Sequence, residues 1–241
     1  QGVGPDILLG ADEWVRQLVD VNVVRPIDLS EQDITQYAPT AMKALRYAPL
    51  DDVAHYYGYP LSLSPEALYR NSQLAPISPI TLDELVALTE SGETIAIVPR
   101  FQPAYWGIQI FGDGLFDDDG TFTLATSGFT EWLSWLVAMQ QEPGIILNVD
   151  AAALEEMYIE GRVSYYVDGP ESLRLFSESM NPSVIAVAPL PTGPAGMSGP
   201  PLPVEAAMLS NASSAEQAEV AESVARFLAN PQQSTTFMRE L

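Results

Sequence analysis

The chain has 241 residues, 47% of them hydrophobic, so it is long enough to bury a sizeable core as one domain or two small ones. Thirty-two acidic residues against ten basic ones give a net charge of −22. This charge argues against nucleic acids and anionic membrane surfaces as partners, because both bind basic faces. It fits solubility, with a salt-adapted source or cationic ligands as the alternatives. The absence of cysteine excludes disulfides and thiol chemistry.

The beginning of the chain predicts a strand followed by a helix. The run from Gly4 to Gly10 is short, apolar and bounded by glycine and proline, which is typical of a buried parallel strand. Asp12 is placed to cap the helix that follows. That helix is expected to direct Trp14, Leu18 and Val19 inward. The first residues show no signal-peptide pattern, which indicates a cut piece or a processed form.

A helix and a strand are predicted next in the order of the chain. Thr81 and Glu84 have the spacing of a capping box, and Gly92 is expected to end the helix that they open. The run from Thr94 to Val98 predicts a buried strand. The segment from Pro99 to Trp106 is rich in rings and amides, which are the groups that recognise sugars; alternatively, Tyr105 and Trp106 begin a core helix.

The middle of the chain alternates between helices and strands. This alternation favours a mostly parallel sheet, and ligands bind such sheets at the carboxyl ends of their strands. The turn from Asp168 to Pro170 has that position, with Pro170 as the first residue of the next helix. The predicted elements are an amphipathic helix with a core stripe of Phe129, Trp132, Leu133 and Leu136, a helix from Ala151 to Glu160 ended by Gly161 in the left-handed conformation, a strand from Arg162 to Val167, a helix from Glu171 to Ser179, and a strand from Val184 to Ala188.

The last part of the chain predicts a loop, a strand and two helices. The segment from Thr192 to Pro203 is rich in proline and glycine and predicts an exposed loop, and Val204 to Leu209 predicts a strand. A second capping box is predicted at Ser213 and Glu216, opening a helix, and a short helix is expected from Gln232 to Leu241. The opened helix is expected to bury Val220, Val224, Phe227 and Leu228.

The sequence carries no motif for catalysis or for a cofactor. It has no Gly-x-Ser-x-Gly motif, no Walker loop and no dinucleotide fingerprint. His55 is the only histidine, so no zinc site is expected. With 32 acidic residues a pair of carboxylates at glycosidase spacing can arise by chance, so a glycosidase is a weak alternative. We therefore expect neither an enzyme, nor a cofactor, nor a metal site.

Several stretches resemble the extracellular solute-binding proteins of ABC importers, family 1, whose maltose-binding members are the nearest match. Met157 to Pro170 resembles the family's F-x-x-G-K-A-A-M-x-x-x-G-P segment, and Val187 to Pro191 resembles V-x-P-L-P. Gly2 to Ile27 resembles G-x-G-P-D-I-x with the later G-L-L-x-P-L. Tyr56 to Asn71 resembles the Y-G-x-P … Y-N-K-D-L crossing between lobes, with Ser72 in place of the lysine.

The resemblance implies an α/β fold of the periplasmic-binding-protein type II, with two α/β lobes joined by a hinge. Lobe 1 would comprise residues 1–62 and 193–241, and lobe 2 residues 63–192. The hinge segments would be a strand near residues 62–67 and a second crossing near residues 189–192. Relative to the family, the first strand–helix–strand and the last helices of lobe 2 are missing, so the fold would be partial and truncated at both ends.

The resemblance also implies a function: the solute-binding component of an ABC importer, which closes over a small molecule in an interlobe cleft and delivers it to a membrane permease. A sugar or polyol is the first choice of ligand and a cationic solute the second. Maltodextrin itself is disfavoured, because Gly10, Ala104 and Glu171 stand where maltose-binding members have aromatic rings. The ligand-binding residues implied are Asp12, Glu13, Trp14, Ser64, Glu66, Gln102, Tyr105, Trp106, Asp168, Glu171 and Glu205.

Location and class follow from the same resemblance. The expected location is extracellular or periplasmic, with lipid anchoring through sequence outside this chain as an open alternative. For Asp12, helix capping and ligand contact are equally weighted. The rival to solute binding from another class is a degenerate lobe that serves as a recognition module in a larger surface protein.

Overall fold

The computed structural model describes residues 4–49, 53–117, 120–233 and 235. The helices are, in chain order, α1 (Glu13–Asp20), α2 (Glu31–Ile34), α3 (Pro39–Ala44), α4 (Leu82–Glu90), α5 (Ile108–Phe111), α6 (Phe129–Met139), α7 (Ala151–Ile159), α8 (Ser172–Ser179) and α9 (Ala215–Leu228). The strands are β1 (Ile7–Ala11), β2 (Arg46–Tyr47), β3 (His55–Tyr56), β4 (Tyr59–Leu63), β5 (Ala67–Asn71), β6 (Ile95–Ile97), β7 (Ile145–Leu147), β8 (Tyr165–Asp168), β9 (Ile185–Ala188) and β10 (Val204–Leu209). Of the helix expected at Gln232 to Leu241, residues 234 and 236–241 lie outside the described residues.

The chain forms two compact units. The first unit contains residues 1–64 and 202–241, and the second contains residues 65–201. The sequence had placed the second boundary at 192/193. The segment after Thr192 instead belongs to the second unit, because its backbone donates hydrogen bonds to that unit: Ala195 N to Ile110 O and Gly199 N to Trp106 O, both at 2.9 Å.

The first boundary falls where a continuous hinge strand was expected from Ser62 to Ala67. In the structure β4 ends at Leu63 and β5 begins at Ala67, so the expected strand is interrupted. Pro65 lies in the interruption and has no N–H to donate to a ladder. Ser64 instead donates its backbone N–H to the Pro203 carbonyl at 3.1 Å, within the first unit.

The main sheet of the first unit is antiparallel, with the strand order β1-β10-β4. The prediction of a buried parallel strand at Gly4–Gly10 is therefore wrong in both respects. β1 is an edge strand of this sheet, and the side chain of Leu9 is 58% exposed. Composition could not reveal this, because an apolar run at a sheet edge reads like one at its centre.

Side chains of β10 alternate between two layers, as the pleat of a strand requires. Ala206 and Met208 pack on the side of α1 and α3, together with Val15 and Leu45. Ala207 and Leu209 pack on the opposite side, against Ala221 and Ala225 of α9 and against Ala229, which follows this helix. The first unit is thus a three-layered arrangement of helix, sheet and helix.

In the first unit, the predicted inward face of α1 is right only in part, and that of α9 is wrong. In α1, Leu18 and Val19 pack against the core beside the buried Val15, as expected, whereas Trp14 is 49% exposed. In α9 the sheet-facing residues are alanines, whose small side chains allow the helix to approach the sheet closely. The consequence is an exposed apolar stripe of Val220, Val224 and Phe227, with Leu228 half-buried.

The sheet of the second unit has the strand order β7-β6-β8-β5-β9. β7, β6 and β8 are parallel, which agrees with the helix–strand alternation of the sequence, whereas β5 is antiparallel to both β8 and β9. Helices cover both faces. One face packs against α4, α5 and α6 through residues such as Leu85, Ile108 and Trp132, and the other packs against α7 and α8 through Leu154 and Phe176.

Helix ends in the second unit follow the sequence signals. Thr81 Oγ1 accepts a hydrogen bond from the Glu84 N–H at 3.1 Å, and the Glu84 carboxylate accepts one from the Thr81 N–H. This confirms the first capping box. Gly92 and Gly161 take positive φ angles of 104° and 70° just after α4 and α7, as expected for helix ends.

Two other predicted helix starts are displaced. The second capping box is formed by Ser214 and Gln217, one residue later than predicted from Ser213 and Glu216. Ser213 donates its hydroxyl to the Asp6 carboxylate instead. α8 begins at Ser172 with Glu171 as its N-cap, so Pro170 precedes the helix and is not its first residue.

Candidate functional site

In the second unit, the loops after β6 and β8 lie at the same edge of the sheet, because the two strands are parallel. β5 runs in the opposite direction, so its beginning lies at this edge as well. The register pairs Ala67 with Asp168, which places Glu66 beside the end of β8. Topology thus brings Glu66, Asp168 and Glu171 together, three of the predicted ligand-binding residues.

The turn after β8 is held in place by its own hydrogen bonds. Asp168 Oδ1 accepts from the Gly169 N–H at 2.9 Å, and its Oδ2 accepts from the Ser172 hydroxyl at 2.8 Å. The Tyr69 hydroxyl donates to the Gly169 carbonyl at 2.8 Å. The Glu171 carboxylate lies so close to Gly169 that a side chain at this glycine would collide with it. The three carboxylates therefore surround one fixed turn.

Burial and mutual repulsion disfavour ionisation of Glu66. Burial, followed by the negative charges of Asp168 and Glu171, raises the pKa of Glu66 to about 7. Its Oε2 atom is buried and accepts no hydrogen bond from the described residues. The pKa of Glu155 on α7 is also raised, first by burial and then by Asp168, Asp150 and Glu171. Glu155 thus belongs to the same group of carboxylates, which we call the acidic cluster: Glu66, Glu155, Asp168 and Glu171.

Aromatic side chains lie beneath the acidic cluster. Tyr166 precedes Asp168 by two residues in β8, so both side chains are on the same face of the sheet. Tyr166 is fully buried and contacts Phe176 and Tyr158 through its ring. Burial and then the charge of Asp168 raise the pKa of Tyr166. Its hydroxyl lies beside that carboxylate without hydrogen-bond geometry and has no partner among the described residues.

The loop after β6 presents an aromatic surface. Phe101 is 63% exposed, and its ring makes edge contacts with Tyr105 at 5.8 Å and with Phe129 at 6.4 Å between ring centroids. Gln102 is exposed and Tyr105 is half-buried, so both are accessible as predicted ligand contacts.

Trp106 does not belong to this surface. It is fully buried, its ring centroid lies 4.9 Å from that of Trp132, and it is part of the core against the sheet. Of the two interpretations of the Tyr105–Trp106 pair, the core helix therefore holds for Trp106, which lies in the 3₁₀ turn Tyr105–Gly107 that leads into α5. Its predicted ligand contact is wrong, because no part of the ring is exposed.

In the first unit, three predicted residues lie at one end of the three-stranded sheet. Glu205 at the start of β10 pairs with Ala11 at the end of β1 and with Ser62 near the end of β4. Asp12 and Ser64 follow β1 and β4 directly. Asp12 makes no side-chain cap; its carboxylate instead accepts the Val204 N–H at 2.9 Å, which prolongs the β1–β10 ladder. The capping role is therefore wrong, and Asp12 has a structural partner.

Trp14 extends from this end of the sheet, next to the exposed Glu13. The Trp14 ring rests on Gly10, where any side chain would collide with it. Half of this large ring nonetheless faces solvent, which is uncommon for tryptophan. The glycine at position 10 thus leaves room for an exposed aromatic ring at the end of the sheet where Asp12 and Glu205 also lie.

Sequence reasoning missed three residues of these surfaces. Phe101 was skipped in favour of Trp106, although it stands directly in the Pro-flanked segment after β6. Glu155 was missed because it lies on a helix, one turn before the buried Tyr158, and only the fold brings that turn to β8. Tyr166 reads as an ordinary strand residue until its hydroxyl is found beside Asp168.

A surface groove of about 380 Å³ lies elsewhere, along α9 of the first unit. It is lined by Asp6, Ile7, Glu216, Gln217, Val220, Ala221 and Val224, none of which is a predicted ligand-binding residue. Among the described residues no helix is long and apolar enough to cross a membrane. The same residues contain no group of three or more carboxylate or imidazole side chains arranged to hold a metal ion.

The chain belongs to the bacterial extracellular solute-binding protein family, whose model matches residues 1–235. It is 25% identical over 206 residues to the maltotriose-binding protein of Pyrococcus abyssi (strain GE5 / Orsay), covering 79% of this chain and 42% of that protein. The chain thus spans less than half the length of this relative.

Solved structures share the fold. The cyclo/maltodextrin-binding protein complexed with maltotetraose has a TM-score of 0.82 at 21% identity, covering 99% of this chain and 63% of its own. The GacH receptor of Streptomyces glaucescens GLA.O, solved unliganded and with acarbose, has a TM-score of 0.76 at 19% identity, covering 96% and 63%. The extracellular solute-binding protein of Staphylococcus aureus in complex with maltose has 0.76 at 20%, covering 98% and 64%. These likenesses establish the α/β periplasmic-binding-protein fold.

Proposed function

We propose that the protein is the solute-binding component of an ABC importer and that its solute is a sugar or polyol. Membership of the extracellular solute-binding family supports the binding role, and the maltotriose-binding relative supports the sugar class. Binding would take place outside the cytoplasmic membrane, with a membrane permease as the partner that receives the solute. That the solute lies between the two units, and that a lipid anchors the protein, stay predictions of the family resemblance.

The observation that carries the proposal is the exposed ring of Trp14. An exposed tryptophan face is suited to cover the apolar side of a sugar ring, while carboxylates accept hydrogen bonds from its hydroxyls. Trp14 supplies such a face at the end of the sheet where Asp12, Glu13 and Glu205 also lie, and Phe101 supplies a second one in the second unit. Binding without turnover is the expected chemistry, so the protein would not be an enzyme.

Calorimetric titration with maltotriose tests the proposal. Trp14→Ala removes the ring while leaving the buried Val15 in place, so we expect the affinity to fall about tenfold, equivalent to about 1.4 kcal/mol. Phe227→Ala is the matched control, because it removes another aromatic ring, 56% exposed, from α9 outside the predicted site. Equal affinities for the wild type and the Trp14→Ala variant, or equal losses in both variants, would refute the role of Trp14. Release of glucose from maltotriose would refute the non-enzymatic role.

A further inference from the structure

The acidic cluster of the second unit holds four carboxylates without a cationic partner. None of Glu66, Glu155, Asp168 and Glu171 makes an ion pair with any described arginine. A positive charge that acts on the Tyr166 hydroxyl is that of Arg100, which is exposed in the loop after β6. Asp150, at the start of α7, adds another negative charge beside Glu155. Like charges placed together and partly buried are unfavourable unless a cation or a proton neutralises them.

Two buried polar atoms at the cluster have no partner in the described protein. The Tyr166 hydroxyl belongs to a fully buried side chain that faces Asp168 and Glu155. The Glu66 Oε2 atom is buried on the β5 side of the same turn. Buried polar atoms are nearly always hydrogen-bonded, and both of these oxygens can accept a hydrogen bond, so a ligand with N–H donors would complete them. The Tyr166 hydroxyl can turn its own hydrogen toward Asp168, which leaves its oxygen free to accept such a bond.

The chemistry of the cluster suits an ammonium group better than a metal ion. No three of its carboxylates are arranged closely enough to hold a metal. An ammonium group has several N–H donors that reach separate carboxylates at hydrogen-bond distances of about 2.7–2.9 Å, so it tolerates wider spacing. A neutral sugar hydroxyl could donate one hydrogen bond but would leave the negative charge of the cluster in place.

We propose that the solute carries a positively charged amino group, as an amino sugar does, and that Glu66, Asp168 and Glu171 bind this group. The inference rests on the solute-binding function proposed above and narrows its solute class. Asp168 is pre-positioned by Gly169 and Ser172, whereas Glu66 and Glu171 supply the free carboxylate oxygens. Glu155 contributes charge from α7.

Calorimetry with three probes tests the inference: maltotriose, the β-1,4-linked glucosamine trimer with free amino groups, and spermidine. We expect the glucosamine trimer to bind at least about tenfold more tightly than maltotriose, and its affinity to fall between 50 and 300 mM NaCl. Glu66→Gln and Glu171→Gln are each expected to weaken the glucosamine trimer about tenfold and maltotriose by much less. Glu178→Gln is the matched control, because Glu178 is an exposed carboxylate on α8 whose ion-pair distance to Arg174 is 3.9 Å.

The outcomes separate the two proposals. If maltotriose binds as tightly as the glucosamine trimer and neither variant changes either affinity, the amino-group inference is overturned while sugar binding stands. If spermidine binds and both sugars fail, the inference stands and the sugar class is overturned. If no probe binds, both are overturned. An equal loss in the Glu178→Gln variant would reduce the effect to general surface charge and overturn the assignment of these residues.

Discussion

Trp132 holds together the helical layer of the second unit, so its truncation is a stringent test of the core. Its indole N–H donates to the Ala104 carbonyl at 2.7 Å, and its ring stacks on Trp135 with centroids 5.0 Å apart. It also packs against Trp106, the residue that sequence reasoning had assigned to ligand binding. If Trp106 belongs to this core, removing Trp132 must cost stability on the scale of a buried tryptophan.

Trp132→Ala is expected to lower the free energy of unfolding of the second unit by about 3–5 kcal/mol, since it leaves a large cavity. Trp132→Phe keeps a ring but removes the indole donor, so the Ala104 carbonyl keeps only the 3.4 Å hydrogen bond from the Gly107 N–H, and we expect a cost of about 0.5–1.5 kcal/mol. With a denaturant slope of about 2 kcal/mol/M, Trp132→Ala should lower the urea midpoint by about 2 M.

The assay is urea unfolding followed by far-UV circular dichroism, because tryptophan fluorescence would change with the substitution itself. Leu133→Ala is the control: it is the next residue of α6, its side chain is 45% exposed, and its truncation should shift the midpoint far less. A midpoint for Trp132→Ala that equals that of Leu133→Ala would refute the aromatic core and reopen the assignment of Trp106.

Two further predictions concern the first unit. Burial raises the pKa of Glu222, but hydrogen bonds from Tyr59 and Arg226 and the charge of Arg226 outweigh burial, so the pKa is lowered. The ionised carboxylate therefore stabilises the fold at pH values above the ordinary glutamate pKa. This stabilisation is lost as the pH falls through the lowered pKa. Glu222→Gln should therefore cost on the order of 1 kcal/mol at pH 7 by thermal unfolding, with a smaller difference near pH 3, and an equal difference at both pH values would contradict the charge effect. The exposed stripe on α9 and the open edge of β1 are expected to make the 1–241 chain self-associate. Val220→Lys with Phe227→Lys should then lower the sedimentation coefficient at high protein concentration without lowering the melting temperature, whereas an unchanged, already monomeric sedimentation profile would exclude this surface.

Local signals in the sequence predicted local structure well. The capping pair at Thr81 and Glu84 and the left-handed Gly161 depend only on neighbouring backbone groups, and both are confirmed. The family motifs also led to the right family and fold. The acidic turn at Asp168 was found for the same reason, because its position between a strand and a helix can be read from the chain alone.

Properties that depend on packing could not be predicted. Hydrophobic spacing in α9 fits a stripe of valines as well as a stripe of alanines one residue further on, and the sheet selects the alanines because it lies close. Trp106 and Phe101 are both aromatic residues after β6, and only the position of Trp132 shows which one is buried. Similarly, nothing local indicates that β1 pairs with a strand almost two hundred residues later.

Direct titration of the wild-type chain with maltotriose and the glucosamine trimer tests the central claim of solute binding most directly. The account predicts saturable binding of at least one of these sugars at a ratio of one solute per chain, with the tighter affinity for the trimer. If neither these sugars nor spermidine bind to a chain whose circular dichroism shows it to be folded, the claim is contradicted and a recognition module that binds no small solute is favoured.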